Sequence, residues 1–117
     1  MRFEEKEKLL KEIACLKDSS KLIIVEGKKD KAALEKLGLS KIVVLNGPIY
    51  VFAENVSKVH EDVIILTDLD REGKRLYSKL KDELSKRGVK IDDSFRKFLF
   101  KETNLRQIEG LATYIEK

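Results

Sequence analysis

Two short stretches of this sequence gather acids, a glycine and basic residues, and each follows an apolar run. Leu22-Ile-Ile-Val25 leads into Glu26-Gly-Lys-Lys-Asp30, and Val63-Ile-Ile-Leu66 leads through Thr67 into Asp68-Leu-Asp70-Arg-Glu72-Gly73. In extended chain, residues i and i+2 point the same way, so Asp68 and Asp70 present their carboxylates together. If the two apolar runs are neighbouring strands, about 4.8 Å apart, Glu26 comes within reach of the same ion. Carboxylate oxygens with no His or Cys beside them suit Mg²⁺, or Mn²⁺, rather than Zn²⁺. Crowded carboxylates are unfavourable unless a cation neutralises them or one keeps its proton, and phosphoryl chemistry can use either state.

The flanking residues fit that chemistry. Gly27 and Gly73 omit a Cβ where a phosphate or a second backbone segment would approach. Lys28, Lys29, Arg71, Lys74 and Arg75 surround the acids with phosphate-seeking charge. A helix beginning near Glu72 would turn its positive end to the same rim. Glu72 itself has two readings, a further metal ligand or a first-turn acid facing the helix dipole.

Positioning these residues requires a particular set of elements. Leu22–Val25, Ile42–Leu45 and Val63–Leu66 are β-branched-rich and unalternating, as strands covered on both faces of a parallel sheet are. Helical patterns lie between them. Lys29–Leu37 puts Ala33, Leu34 and Leu37 on one face and stops at Gly38. Pro48 fits the first turn of a helix reaching about residue 58. Glu72–Arg87 repeats Leu76, Tyr77, Leu80 and Leu84 before Gly88. Ahead of the first strand, Glu4–Leu16 is an amphipathic helix expected to turn Leu9, Leu10, Ile13 and Leu16 inward, with Cys15 beside that stripe in the core. Val89–Ile91 reads as a fourth, edge strand, followed by a helix marked by Phe95, Phe98 and Leu99 and a short last one over Leu111–Ile115. Strand–helix alternation predicts an α/β fold, a three-layer α/β/α sandwich around a central, mostly parallel sheet of about four strands. In such sheets, ligands gather at the carboxyl ends of the strands.

With those elements in place, Glu26-Gly-x-x-Asp30 after a first strand and Asp68-x-Asp70-x-x-Gly73 after a later one resemble the Toprim domain. That domain is shared by bacterial-type primases, topoisomerases, certain nucleases and a recombination mediator. Val25-Glu-Gly-Lys-Lys-Asp30 is most similar to primases and to the ribonuclease that matures the smallest ribosomal RNA. Asp68-Leu-Asp-Arg-Glu-Gly73 is more similar to type IA topoisomerases. The resemblance implies a Rossmann-like fold, Glu26 as general acid/base, and Asp68 and Asp70 holding Mg²⁺, with Glu26 also near the metal. Glu72 matches the third acid of the topoisomerase version. Asp30 is expected to brace the helix that it begins.

Composition bounds what such a site serves. The chain has 117 residues, 39% of them charged, yet a net charge of only +4, so its charge is an interspersed, solvated surface. That balance permits nucleic-acid binding without demanding it. One cysteine cannot form an intramolecular disulfide, which favours a reducing compartment. No apolar run approaches the roughly 20 residues that span a bilayer, and the charged start lacks a signal peptide's apolar region. A cytoplasmic protein with no membrane partner is expected, as one domain over 1–117. Its parts would be an N-terminal helix within 1–20, a Toprim core over 21–91 and a helical extension over 92–117.

The expected activity is Mg²⁺-dependent phosphodiester hydrolysis on RNA or DNA, with phosphates contacted by Lys28, Lys29, Arg71 and Lys74. The alternative is a non-catalytic nucleic-acid-binding or adaptor module, docked to protein partners in a replication, repair or RNA-processing assembly. A complete topoisomerase or primase is not expected, since no zinc-binding Cys/His cluster and no gate domain are present. Phe95, Phe98 and Phe100 are candidates for stacking bases, although helical spacing assigns Phe95 and Phe98 to packing. Tyr77 belongs to the inward face of its helix, and His60 to an exposed link before a strand.

Overall fold

The computed structural model describes residues 2–116. Four strands, β1 (Leu22–Val25), β2 (Ile42–Val44), β3 (Asp62–Ile65) and β4 (Lys90–Ile91), form one sheet in the order β2-β1-β3-β4. Every neighbouring pair is parallel, with Ile23 opposite both Ile42 and Ile64, and Val63 opposite Ile91. The α/β sandwich expected from the alternation of strands and helices is the architecture observed.

Both central strands are covered on both faces, which explains their unbroken apolar character. Ile23, Val25, Ile64 and Leu66 point into one core with α1 (Phe3–Ser19), α2 (Lys28–Lys36), α5 (Ser94–Glu102) and α6 (Leu111–Glu116). Ile24, Val63 and Ile65 point into the other, against α3 (Ile49–Ser57) and α4 (Arg71–Lys86). The segment after α5 is part of the first core through Leu105, Ile108, Leu111 and Ile115.

The strand order determines where a ligand can sit. From β1 the chain crosses by α2 to β2 on one side, while from β3 it crosses by α4 to β4 on the other. Crossovers of one hand running in opposite directions lie on opposite faces of the sheet. They diverge at the carboxyl ends of β1 and β3, the switch point where open α/β sheets hold their ligands.

Two expectations for α1 are corrected. Leu10 is 45% exposed and Cys15 is exposed. The buried stripe is the narrow set Leu9, Ile13 and Leu16, at i, i+4 and i+7. At about 100° per residue, Leu10 and Cys15 fall on opposite flanks of it. His60 lies in the link before β3 and is half-buried rather than exposed.

Gly73 shows how tightly the loop after β3 is set. A Cβ there would lie 1.9 Å from the Asp68 carbonyl oxygen, a backbone atom that cannot turn aside. At Gly27 the nearest atom to an added Cβ would be Asp30 Oδ2 at 3.7 Å, an ordinary contact. Gly73→Ala is therefore expected to destabilise the fold by about 3 kcal/mol or more, the upper range for overpacking. Gly27→Ala, at a helix N-cap, should cost no more than about 1 kcal/mol. Urea denaturation of the two variants checks the contrast, and equal midpoints would refute it.

Candidate functional site

Two residues, Glu26 and Gly27, join β1 to α2, and five, Leu66 to Asp70, join β3 to α4. Leu66 N–H still donates to the Ile24 carbonyl at 2.7 Å, so the two chains leave the sheet side by side. Glu26 follows Val25 and Asp68 follows Thr67, and the two acids meet. The backbone N–H of Asp68 donates to Glu26 Oε1 at 2.8 Å. The neighbourhood of β1 and β3 that the acid spacing required is thus present, closed by a direct hydrogen bond.

Each acid of the pair of motifs is oriented by a backbone amide. Asp68 Oδ1 accepts from Ile108 N–H at 2.8 Å. Asp70 is the N-cap of α4, its Oδ1 accepting from Gly73 N–H at 2.8 Å. Asp30, buried, accepts from Gly27 N–H through Oδ2 at 3.0 Å and so braces the start of α2, as its motif position implied. Among the described residues, Glu26 Oε2, Asp68 Oδ2 and Asp70 Oδ2 take no protein hydrogen bond.

The electrostatics follow from that crowding. Burial pushes the Glu26 carboxyl above its ordinary value; the Asp68 amide opposes this, and Asp68, Asp30 and Asp70 add repulsion. Burial likewise raises Asp68, opposed by the Ile108 amide and by Arg96, and reinforced by Asp70 and Glu109. Asp30 is raised by burial first and by Asp68 next. Uncompensated negative charge in a partly dry site is what a cation would relieve.

Does the donor set fit Mg²⁺? Among the described residues no three acids, histidines or cysteines are grouped so as to hold a metal ion between them. Mg²⁺ does not ask for such a group, since it keeps several waters and takes one or two protein carboxylates. Asp68 and Asp70, two residues apart and each with one uncommitted oxygen, fit that habit.

Glu72 is placed differently. Its exposed carboxylate pairs with the Arg75 guanidinium, with one contact at 3.1 Å, and that pairing lowers its pKa. Lys28, Lys29, Arg71 and Lys74 are all exposed at the starts of α2 and α4, the two helices that begin at the acids. The Lys74 ammonium lies 4.4 Å over the Phe100 ring.

Two parts of the site escaped the motif pattern. Arg96 is buried, and its guanidinium donates to the carbonyls of Thr67 and Asp68, the latter at 2.9 Å, while lying 4.5 Å over the Tyr77 ring. The segment after α5 folds back onto the loop, with Leu69 N–H donating to the Arg106 carbonyl at 2.7 Å in addition to the Ile108 contact. An arginine inside the apolar pattern of Phe95, Phe98 and Leu99 was the one available signal for the first. A backbone amide leaves none.

Comparison with known proteins bears on the family and the fold. The Toprim domain family matches residues 21–97. The UPF0292 protein of Methanocaldococcus jannaschii is 42% identical over 99% of this chain and 96% of its own length. That of Methanosarcina acetivorans is 33% identical over 99% of this chain and 83% of its own. A solved structure, a putative protein from Aquifex aeolicus, superposes with a TM-score of 0.76 at 39% identity, covering 88% of this chain and 94% of that one.

The acids make a pH prediction. A carboxyl whose folded pKa is raised binds more protons folded than unfolded, so stability falls as pH rises through that folded value. Glu26, Asp30 and Asp68 therefore cost stability at neutral pH, and Asp68→Asn removes a charge while keeping an acceptor for the Ile108 amide. Without divalent metal, this variant should melt at or above the wild-type temperature at pH 7, with the gap closing as pH falls toward the ordinary carboxylate range. Calorimetry across that interval decides; a variant that melts lower at pH 7 refutes the account.

Proposed function

This chain belongs to the Toprim domain family, a metal-binding family of nucleic-acid-processing proteins, and from that premise we propose that it hydrolyses phosphodiester bonds of RNA or DNA with Mg²⁺. The observation that carries the proposal is the joining of the two motifs at the switch point of the sheet, through the Asp68 amide and the Glu26 carboxylate. The unit that acts is taken to be the whole chain, 1–117, working in the cytoplasm. No helix among the described residues is long and apolar enough to cross a membrane.

In this reading Asp68 and Asp70 hold the metal through their uncommitted oxygens, with Glu26 at its edge and Mn²⁺ able to replace Mg²⁺. The bound ion would supply charge to the scissile phosphate and to the departing oxygen. Glu26 exchanges a proton with the attacking or departing hydroxyl, and its raised pKa brings it closer to neutral pH, where such a group works best. Lys28, Lys29, Arg71 and Lys74 take the neighbouring phosphates. Gly27 has room for a Cβ in ordinary contact with Asp30, whereas Gly73 serves the close approach of α4 to the Asp68 carbonyl. The Arg75 pairing favours Glu72 as a first-turn acid over a ligand.

An adaptor role has one observation in its favour. Phe3 and Leu10, on α1, are 74% and 45% exposed, apolar surface that a protein partner would cover.

One set of variants separates these readings. Asp68→Ala and Asp70→Ala should abolish Mn²⁺ binding in relaxation titrations. Glu26→Gln should keep nucleic-acid binding while lowering cleavage by roughly 10²–10⁴-fold, the range for a positioned acid or base. A wild type that binds RNA or DNA yet cleaves neither, with Mg²⁺ or Mn²⁺, would replace the nuclease by the adaptor.

A further inference from the structure

A groove of about 620 Å³ runs between α4 and α5, within the usual size of a ligand site. Its α4 wall carries Lys74, Tyr77 and Lys81, spaced three and four residues apart on one helix face; α5 contributes Arg96, Lys97, Phe100 and Lys101. Leu69, which stands between Asp68 and Asp70 in the chain, also lines the groove, so the groove lies next to the loop that carries these acids.

Charge in the groove is one-sided. Asp93 is the acid on its wall, and it already pairs with Lys97 at 3.1 Å. Among the described residues, Lys74, Lys81 and Lys101 have no ion-pair partner. Between these lysines lie two aromatic rings. Tyr77 is half-buried under the Arg96 guanidinium, but Phe100 is 46% exposed, while Phe95 on the same helix is buried. Two cations lie over the Phe100 ring, the Lys74 ammonium at 4.4 Å and the Arg106 guanidinium at 4.9 Å, the latter also donating to the Leu105 carbonyl at 2.8 Å. A planar base can displace the Lys74 ammonium from the ring and leave its charge beside a phosphate.

We propose that this groove binds single-stranded nucleic acid, one base stacking on Phe100 while Lys74, Lys81 and Lys101 take flanking phosphates and lead the strand to the acids. The proposal rests on the nucleic-acid reading of the neighbouring site and adds the strand class to it. Aromatic rings among backbone-tracking cations are the means by which proteins hold single strands without reading sequence. A duplex keeps its base faces stacked on each other and offers Phe100 only phosphates. An acidic peptide offers charge but no face to stack.

The test is fluorescence anisotropy in EDTA, where no metal-dependent cleavage occurs, with labelled oligonucleotides of about 12 residues, inside the roughly 4–16-nucleotide span of single-strand sites. Single-stranded RNA, single-stranded DNA and a blunt duplex of one sequence are compared. Single strands should bind at least about tenfold more tightly than the duplex, and Phe100→Leu should remove about that factor for single strands alone. Phe100→Tyr should retain binding. Lys81→Ala with Lys101→Ala should flatten the log–log salt dependence by roughly 0.7 for each phosphate no longer neutralised, a slope that Phe100→Leu leaves unchanged. Phe100 is exposed, so its variants should fold, and circular dichroism verifies this. Equal affinity for duplex, an unweakened Phe100→Leu variant, or equal competition by polyglutamate would overturn the proposal. Binding that ignores Phe100 sinks the groove and leaves phosphodiester hydrolysis standing. Binding that depends on Phe100 without any cleavage in Mg²⁺ or Mn²⁺ supports the groove and sinks the hydrolysis. A wild type that binds no nucleic acid overturns both.

Discussion

The backbone of Thr67 and Asp68 is the fixed point on which the rest of the site depends. Arg96 grips both of its carbonyls from α5, and the first turn of α4 packs against the second through Gly73. Thr67 completes the junction by donating from Oγ1 to the Gly73 carbonyl at 2.8 Å. Burying a guanidinium is costly, and desolvation lowers the Arg96 pKa. Two carbonyl acceptors and the Tyr77 ring offset that cost. The result is a fixed direction for the amide. With those carbonyls held from behind, the Asp68 N–H points at Glu26, and two strands that share no motif become one site.

The manner in which the acids are held matters as much as their position. Glu26, Asp68 and Asp70 each accept from a backbone N–H, a neutral group that orients a carboxylate without cancelling its charge. Glu72 shows the other arrangement, where a guanidinium takes the carboxylate and spends its charge on a surface pair. The first three keep a negative field at the rim and the fourth does not. Stability is given up for this, because burial and mutual repulsion raise Glu26 and Asp68. Arg96, close behind, has its hydrogen bonds turned to carbonyls rather than to carboxylates.

Beside this negative rim lies the positive groove of α4 and α5, lined in part by Leu69 from the same loop as Asp68 and Asp70. Opposite charges held a few residues apart suit a polyanion whose reacting phosphate needs a metal while its other phosphates need lysines. The segment after α5 ties the two together. Through Ile108 it orients Asp68, and through Arg106 it reaches both Leu69 and the Phe100 ring.

Much of this was legible in the sequence because it is local. Unalternating runs at Leu22–Val25 and Val63–Leu66 mark strands covered on both faces, and the glycines at 38 and 88 mark helix ends, both with positive φ. The acids just past those strands follow from the same pattern, since a strand end is a place in the chain as well as in space. Residue type alone could not locate Leu10 and Cys15, which are apolar and adjacent to the buried stripe of α1, because only the packed partner sets how wide a stripe is covered. Nor could it reveal the Ile108 amide, since every residue but proline carries one and only the return of the chain, 40 residues on, aims it at Asp68. Arg96 is the intermediate case: an arginine among apolar neighbours signals a buried charge, but its partners are carbonyls of another element. The sequence by itself determined which residues can do chemistry and at which strand ends they stand. The tertiary structure decided which oxygens stay free to do it, because that depends on hydrogen bonds between segments distant in the chain.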